Sequence, residues 1–242
     1  MASGTSPDEE RYRPYSFAGG QIYLDVEHSP MMRARAEGRY ETAKVGLIQR
    51  FLQPGMTFLD VGANMGDFSL IAAKTMQDDG RVLAFEPSPD NCHWMRRSIE
   101  LNGYRSIELF EIALSDEAGE AALYLGDRIA KHSLLPRNIE QDTITVTVET
   151  LDDFLESTGD PHIDMMKIDV EGAELKVLRG GAATLSRAEP MILMVDIHGG
   201  RVKPHEVWSL LVEYGFSVRS PDDPEREIKP TGQLSEVLAI KA

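Results

Sequence analysis

Short apolar runs alternate with amphipathic stretches along most of this chain. Residues 1–15 read as loosely ordered, and Gln21 to Val26 as a short strand. Met31 to Leu52 carries apolar groups at helical spacing and stops at Gln53-Pro54-Gly55. Met56 to Val61 is the first core strand, Asp67 to Met76 a helix, and Arg81 to Glu86 a second strand after the turn Asp78-Asp79-Gly80. Pro89 to Asn102 predicts a helix closed by Gly103, and Ile107 to Leu114 a third strand. A different pattern follows. Glu120 to Leu125, a polar loop from Asp127 to Asp142, and the alternating run Thr143 to Glu149 predict a hairpin-like insertion.

Leu151 to Glu156 then predicts a short helix, Ile163 to Ile168 a fourth parallel strand, and Ala173 to Leu178 onward a helix. Pro190 to Ile197 is almost wholly apolar and so central. Pro204 to Tyr214 is a helix, and Phe216 to Arg219 with Ser235 to Ile240 form a closing pair. Strands alternating with helices predict an α/β fold: a mostly parallel, doubly wound sheet with helices on both faces and an antiparallel edge strand. One domain is expected over residues 31–242, with an N-terminal extension over 1–30 and a cap-like insertion around 118–149.

The densest chemistry lies at Phe58-Leu59-Asp60-Val61-Gly62-Ala63-Asn64-Met65-Gly66, followed by Phe85-Glu86-Pro87. A strand, a glycine loop, a helix and a second strand ending in an acid form the usual cradle for a nucleoside cofactor. A dinucleotide fingerprint needs a third glycine. Here Gly62 and Gly66 stand four apart without one, and Asp60 would repel a pyrophosphate. A carboxylate there suits S-adenosylmethionine, whose amino group and sulfonium are cationic. Asp60 is expected to hold the amino group, directly or through water. Gly62, Ala63 and Asn64 would face the methionyl moiety, with Gly66 starting a helix whose positive end faces the carboxylate. Glu86 would accept the ribose hydroxyls, with Pro87 and Ser88 bordering the adenosine. Ala113 and Leu114 would flank the adenine, beside Ser115 and Asp116.

The loop D-V-G-A-N-M-G and the following F-E-P resemble the class I S-adenosylmethionine-dependent methyltransferases. Ala113-Leu114-Ser115-Asp116, Thr150-Leu151-Asp152-Asp153-Phe154 and Lys167-Ile168-Asp169-Val170-Glu171-Gly172-Ala173-Glu174 narrow the resemblance to the FkbM family, from about Gly55 to about His198. It implies a Rossmann-like, seven-stranded class I methyltransferase fold and methylation of hydroxyls on natural products or sugars. It also implies that Tyr40 and Glu41 fold over the cofactor.

Acids and a histidine end the later strands: Asp169, Glu171, Asp196 and His198. Ligands in such sheets sit outside the carboxyl ends of the strands. His198, Asp169 and Glu171 are the candidate general bases for a hydroxyl nucleophile. Asp169, Asp196 and His198 are also conceivable ligands of a divalent metal, although strand alternation argues against all three serving. His132 and His162 read as surface residues.

Composition narrows the partners. The formal charge of −15, from 25 basic and 40 acidic residues, with no basic stripe, disfavours nucleic acids and anionic membranes. The single cysteine, Cys92, excludes an internal disulfide and reads as packing. No apolar run reaches the roughly 18 residues of a membrane span, and the polar start, Met1 to Arg13, is unlike a secretory signal, so a cytoplasmic protein is expected. Arg128, Lys131, His132, Arg137, Arg201 and Lys203 place positive charge in two loops above the site, which suggests a small-molecule or glycoside acceptor of polar or anionic character. Gly199-Gly200 could hinge a lid. N-methylation of an amino sugar, an NAD-dependent oxidoreductase and a cofactor-binding protein without turnover stand as alternatives, and a homo-oligomer is compatible with the sequence.

Overall fold

The computed structural model describes residues 10–126, 132–136, 142–198, 200–229 and 234–242. The chain opens with a hairpin, β1 (Arg13–Phe17) and β2 (Gly20–Leu24), then helices α1 (Pro30–Ala36) and α2 (Thr42–Phe51). An alternating run follows: β3 (Thr57–Val61), α3 (Asp67–Thr75), β4 (Arg81–Phe85), α4 (Pro89–Asn102) and β5 (Ile107–Phe110). Next come β6 (Ala113–Leu114), β7 (Gly119–Tyr124) and β8 (Thr143–Glu149), which pair in the order β6-β8-β7. The last third contains α5 (Leu151–Ser157), β9 (Met165–Ile168), α6 (Glu174–Gly180), α7 (Ala182–Leu185), β10 (Met191–Asp196), α8 (Pro204–Glu213), β11 (Ser217–Ser220), β12 (Asp223–Glu227) and β13 (Glu236–Lys241).

The main sheet runs β12-β11-β13-β10-β9-β3-β4-β5. The five strands from β10 to β5 are parallel, and β13, β11 and β12 close the edge antiparallel. Seven strands follow the expected plan. The eighth, β12, reads Asp-Pro-Glu-Arg-Glu and is mostly exposed, so it carries no apolar pattern to announce it. Period-two alternation divides the sheet between two cores. Leu59, Val61, Leu83, Phe85, Met166 and Val195 pack toward α5, α6 and α8, whereas Phe58, Val82, Met165 and Met194 pack toward α2 and α3. The same alternation puts Asp60 and Lys167, direct register partners on β3 and β9, on the α3 face.

Three departures from the expected elements shape the site. The helix expected over Met31 to Leu52 is two helices, broken where Gly38 and Glu41 take φ of 66° and 45°. The turn brings Tyr40 and Glu41 to the cavity wall, while the apolar spacing survives on either side of it. The strand expected over Ile107 to Leu114 is also two: β5 closes the main sheet, and β6 leaves it to pair with β8. The insertion is therefore a three-stranded sheet rather than a bare hairpin. Finally, the segment expected to be loosely ordered, residues 1–15, holds the first three residues of β1, next to Tyr12, which stacks on Trp94 of α4 at 4.0 Å.

Candidate active site

The C-terminal ends of the parallel strands open into one cavity of about 320 Å³. Small-molecule sites commonly enclose ~300–1,000 Å³. The glycine loop forms its floor. Gly62 takes φ of 78°, and a Cβ there would fall 2.0 Å from the Asp169 carbonyl oxygen, so the β3 loop can pass β9 only as glycine. Gly66 has a different task. It caps α3 at φ of 88°, where a Cβ would meet Met95 of α4 at 2.7 Å, and it lies outside the cavity lining.

Gly62, Ala63, Asn64, Glu86, Pro87, Ala113, Leu114 and Glu41 line the cavity. Glu86 is buried and held from three sides: Oε2 accepts from the Asn64 amide at 2.8 Å, and Oε1 from the Ser88 amide at 2.9 Å and Asn91 Nδ2 at 3.1 Å. Burial raises its pKa, and these donors pull it back. Phe85, Ile112, Ala113 and Leu114 supply an apolar slot beside it.

Four more of the expected contacts lie elsewhere. Asp60 is fully buried behind the cavity wall, accepting from Ser69 Oγ at 2.7 Å with Lys167 Nζ at 3.3 Å. Its counter-charge is a lysine of the next strand, which removes it from direct contact with a ligand. Ser88 is buried behind Glu86. Ser115 and Asp116 do not line the cavity. Ser115 Oγ donates to Asp116 Oδ1 at 3.0 Å, and Lys176 Nζ stands 3.2 Å from the same oxygen. The short β6 turns the chain away just there.

The opposite half of the cavity gathers Asp169, Glu171, Asp196 and His198. His198 Nδ1 donates to Glu174 Oε1 at 2.7 Å, and Glu174 is wholly buried at the start of α6. A carboxylate can only accept, so this bond places the proton on Nδ1 and leaves Nε2 for the cavity. Nε2 lies 3.6 Å from Asp169 Oδ1 and 3.5 Å from Glu171 Oε2. The hydrogen bond to Glu174 raises the His198 pKa above its ordinary 6.5, against a downward pull from burial.

Asp196 points into the same space but is claimed by Lys44, whose Nζ donates to Oδ2 at 2.6 Å and to Glu41 Oε2 at 2.9 Å. Burial and the neighbouring Asp169 push the Asp196 carboxyl up to about 6, with Lys44 opposing them. The metal ligand set considered from sequence does not assemble. Among the described residues, no group of three or more His, Cys, Asp or Glu side chains is placed to hold a metal ion. Asp196 faces an ammonium instead.

A strap over residues 132–136 covers this half. His132, Ser133 and Leu134 line the cavity, so His132 is not the surface residue expected, and its Nδ1 accepts from the Gly126 amide at 3.2 Å. His162 is on the surface beside Glu189. Arg201, expected among the charges awaiting an acceptor, is spent on holding the strap. Its Nη1 donates to Ser133 Oγ at 2.9 Å and to the carbonyls of Leu135 and Glu171 at 3.0 and 3.1 Å. Lys203 is exposed beside Glu206. Arg128, Lys131, Arg137 and Gly199 lie outside the described residues. Cys92 is buried, its Sγ donating to the Glu86 carbonyl at 3.0 Å.

Sequence reasoning missed Lys167, Glu174, Asn91, Arg35 and Lys44. Lys167 left a trace as a charge inside the apolar strand Met165–Ile168. Glu174 stood in a quoted motif without a role. Nothing in the sequence pattern singles out Arg35 or Lys44, which are buried on α1 and α2.

The strand order and the cavity at the strand ends define a class I methyltransferase fold. The FkbM methyltransferase domain matches residues 60–218 of this chain, and the chain belongs to that family. It is 30% identical over 206 residues to the 31-O-demethyl-FK506 methyltransferase FkbM of Streptomyces tacrolimicus, covering 72% of this chain and 77% of that one. It is also 30% identical over 158 residues to the hexuronic acid methyltransferase AglP of Haloferax volcanii, covering 65% and 62%. The chain spans only 57% of another relative, a methyltransferase of Beauveria bassiana, so it matches about three-fifths of the length of two of its curated relatives. Among solved structures, a Methylobacillus flagellatus FkbM methyltransferase superposes with a TM-score of 0.52 at 14% identity over 87% of this chain and 52% of that one, a likeness of fold alone. Among the described residues, no helix is long and apolar enough to cross a membrane.

Proposed function

We propose that this protein transfers the methyl group of S-adenosylmethionine to a hydroxyl of a polyhydroxylated small molecule, a sugar or glycoside in the first instance. The observation that carries the proposal is His198, held by buried Glu174 at 2.7 Å with Nε2 facing the cavity. The donor set suits the cofactor. Acids line the cavity at Glu41, Glu86, Asp169, Glu171 and Asp196, which favours a cationic ligand, and the slot by Phe85, Ala113 and Leu114 suits an adenine. When bound, S-adenosylmethionine supplies a methyl group already activated by the sulfonium.

The protein must then bind, align and remove one proton. Glu86 accepts from the ribose hydroxyls, and its fixed bonds to Asn64, Ser88 and Asn91 keep it oriented before binding. Glu41 and Asp169 stand where the donor's ammonium would reach them. As the acceptor oxygen attacks the methyl carbon, His198 Nε2 takes the hydroxyl proton. Glu174 holds the tautomer that makes this possible, and Asp169 and Glu171 stabilise the imidazolium that forms. The bound donor would supply the methyl carbon for the new O–C bond and would keep the electron pair of the broken C–S bond on its sulfur. Because Arg201 is committed to the strap, a neutral polyol fits the described residues better than the anionic acceptor the loop charges suggested.

The test is methyl transfer to neutral sugars, hexuronic acids, amino sugars and macrolide hydroxyls, followed by release of S-adenosylhomocysteine. His198→Ala should lower turnover by roughly 10²-fold or more while S-adenosylhomocysteine still binds by calorimetry. Unchanged turnover would remove His198 as base. Faster transfer to amino sugars than to any hydroxyl would replace O- by N-methylation. Affinity for NAD without affinity for S-adenosylhomocysteine would overturn the donor itself.

A further inference from the structure

We propose that Arg35 clamps the carboxylate of the methyl donor, an inference that rests on the donor assigned above. The donor's amino-acid tail is a zwitterion. The acids of the cavity can meet its ammonium, but its carboxylate needs a cation in the same space. The start of α3 cannot serve unaided, because Asp67 occupies the first turn and itself lines the cavity. Lys167 also lines the cavity, but its Nζ is committed to the Gly62 carbonyl at 3.0 Å, with Asp60 Oδ1 at 3.3 Å and Asp169 Oδ2 at 3.7 Å.

Arg35 has the required geometry. Its side chain is only 4% exposed, yet it borders the cavity. Nε stands 3.1 Å from Asp67 Oδ1, and the guanidinium lies over the Tyr40 ring at 4.5 Å from its centroid. Nη1 donates to Asn64 Oδ1 at 3.3 Å, so the outer end of the fork reaches the loop Gly62-Ala63-Asn64 that floors the donor half. A guanidinium carries five N–H groups in a plane and can serve two carboxylates on two edges, which an ammonium cannot do with fixed geometry. The Asp67 edge and the Tyr40 face hold the fork in place before a ligand arrives, so little ordering remains at binding.

Calorimetry with S-adenosylmethionine and its decarboxylated analogue, which keeps the sulfonium, amine and adenosine, tests this on the full chain. The wild type should prefer the carboxylated donor by roughly 10- to 100-fold. Arg35→Met should abolish that preference and leave affinity for the decarboxylated compound within about threefold. Arg35→Met with Asp67→Asn, which leaves no unpaired buried carboxylate, should show the same loss of preference. Arg35→Lys should retain only part of it. A wild-type preference that persists in Arg35→Met, or a wild type with no preference, overturns the clamp and spares the donor assignment. Loss of both nucleosides in all three variants also overturns it, in favour of a structural role. A wild type that binds neither compound sinks the donor assignment itself.

Discussion

Replacing Lys167 with methionine removes one charge from the sheet's interior and little else. The methionine stem keeps its packing near Phe68, whose ring centroid is 5.3 Å from Nζ. What disappears is the cation beside Asp60 Oδ1, the cation near Asp169, and the donor to the Gly62 carbonyl. Asp60 has no exposed surface and retains only Ser69 Oγ. An uncompensated buried charge of this kind costs about 3–5 kcal/mol. In a domain of this size each kcal/mol lowers Tm by ~2–4 °C, giving a fall of about 6–20 °C. Asp60→Asn removes the stranded charge, so the double variant Asp60→Asn with Lys167→Met should regain more than half of the loss. The assay is equilibrium urea unfolding and thermal melting of wild type, both single variants and the double variant. A Lys167→Met protein within about 1 kcal/mol of wild type, or a double variant no more stable than Lys167→Met alone, would refute the pairing.

Glu174→Gln tests the His198 orientation through pH. The folded protein raises the His198 pKa above 6.5, so the stability from the Glu174 bond is fully present below 6.5 and is lost as pH rises through the folded value. Turnover that needs neutral Nε2 should rise across that same window. In Glu174→Gln the midpoint of the kcat profile should fall toward 6.5, turnover should drop by roughly 10-fold or more, and the melting advantage at acidic pH should shrink. An unmoved midpoint would show that Glu174 does not govern His198. Arg201→Ala should release the strap: the Ser133 amide, which donates to the Tyr124 carbonyl at 3.1 Å, should exchange faster. The acceptor KM should rise by about 10-fold with donor affinity unchanged, and Arg201→Lys should not rescue it, since a single ammonium cannot reproduce the fork. Unaltered exchange at Ser133 would count against the latch.

Much of the cavity wall was legible because a parallel sheet converts chain order into position. Glu86, Asp169 and His198 each follow an apolar run, and all the parallel runs end at one edge. Asp60 shows where that rule stops. It lies on β3 itself, on the face that packs α3, so the register with Lys167 claims it before a ligand can. Arg201 was legible as a charge near the acceptor, but not as a latch, because the Ser133 hydroxyl and the carbonyls of Leu135 and Glu171 that it holds lie 30 to 68 positions away and meet it only in the fold.

By itself the sequence determined the alternation of strands and helices, the glycine-bearing loop after β3 and the acids that end the strands, since periodicity and turn chemistry are local. Only the tertiary structure decided which charges face ligand and which face each other. Lys44 and Asp196 meet across 152 positions of chain, and His198 finds Glu174 from a separate element. Such pairings depend on which helix packs over which strand, and a buried charge must be satisfied by whatever that packing brings within reach.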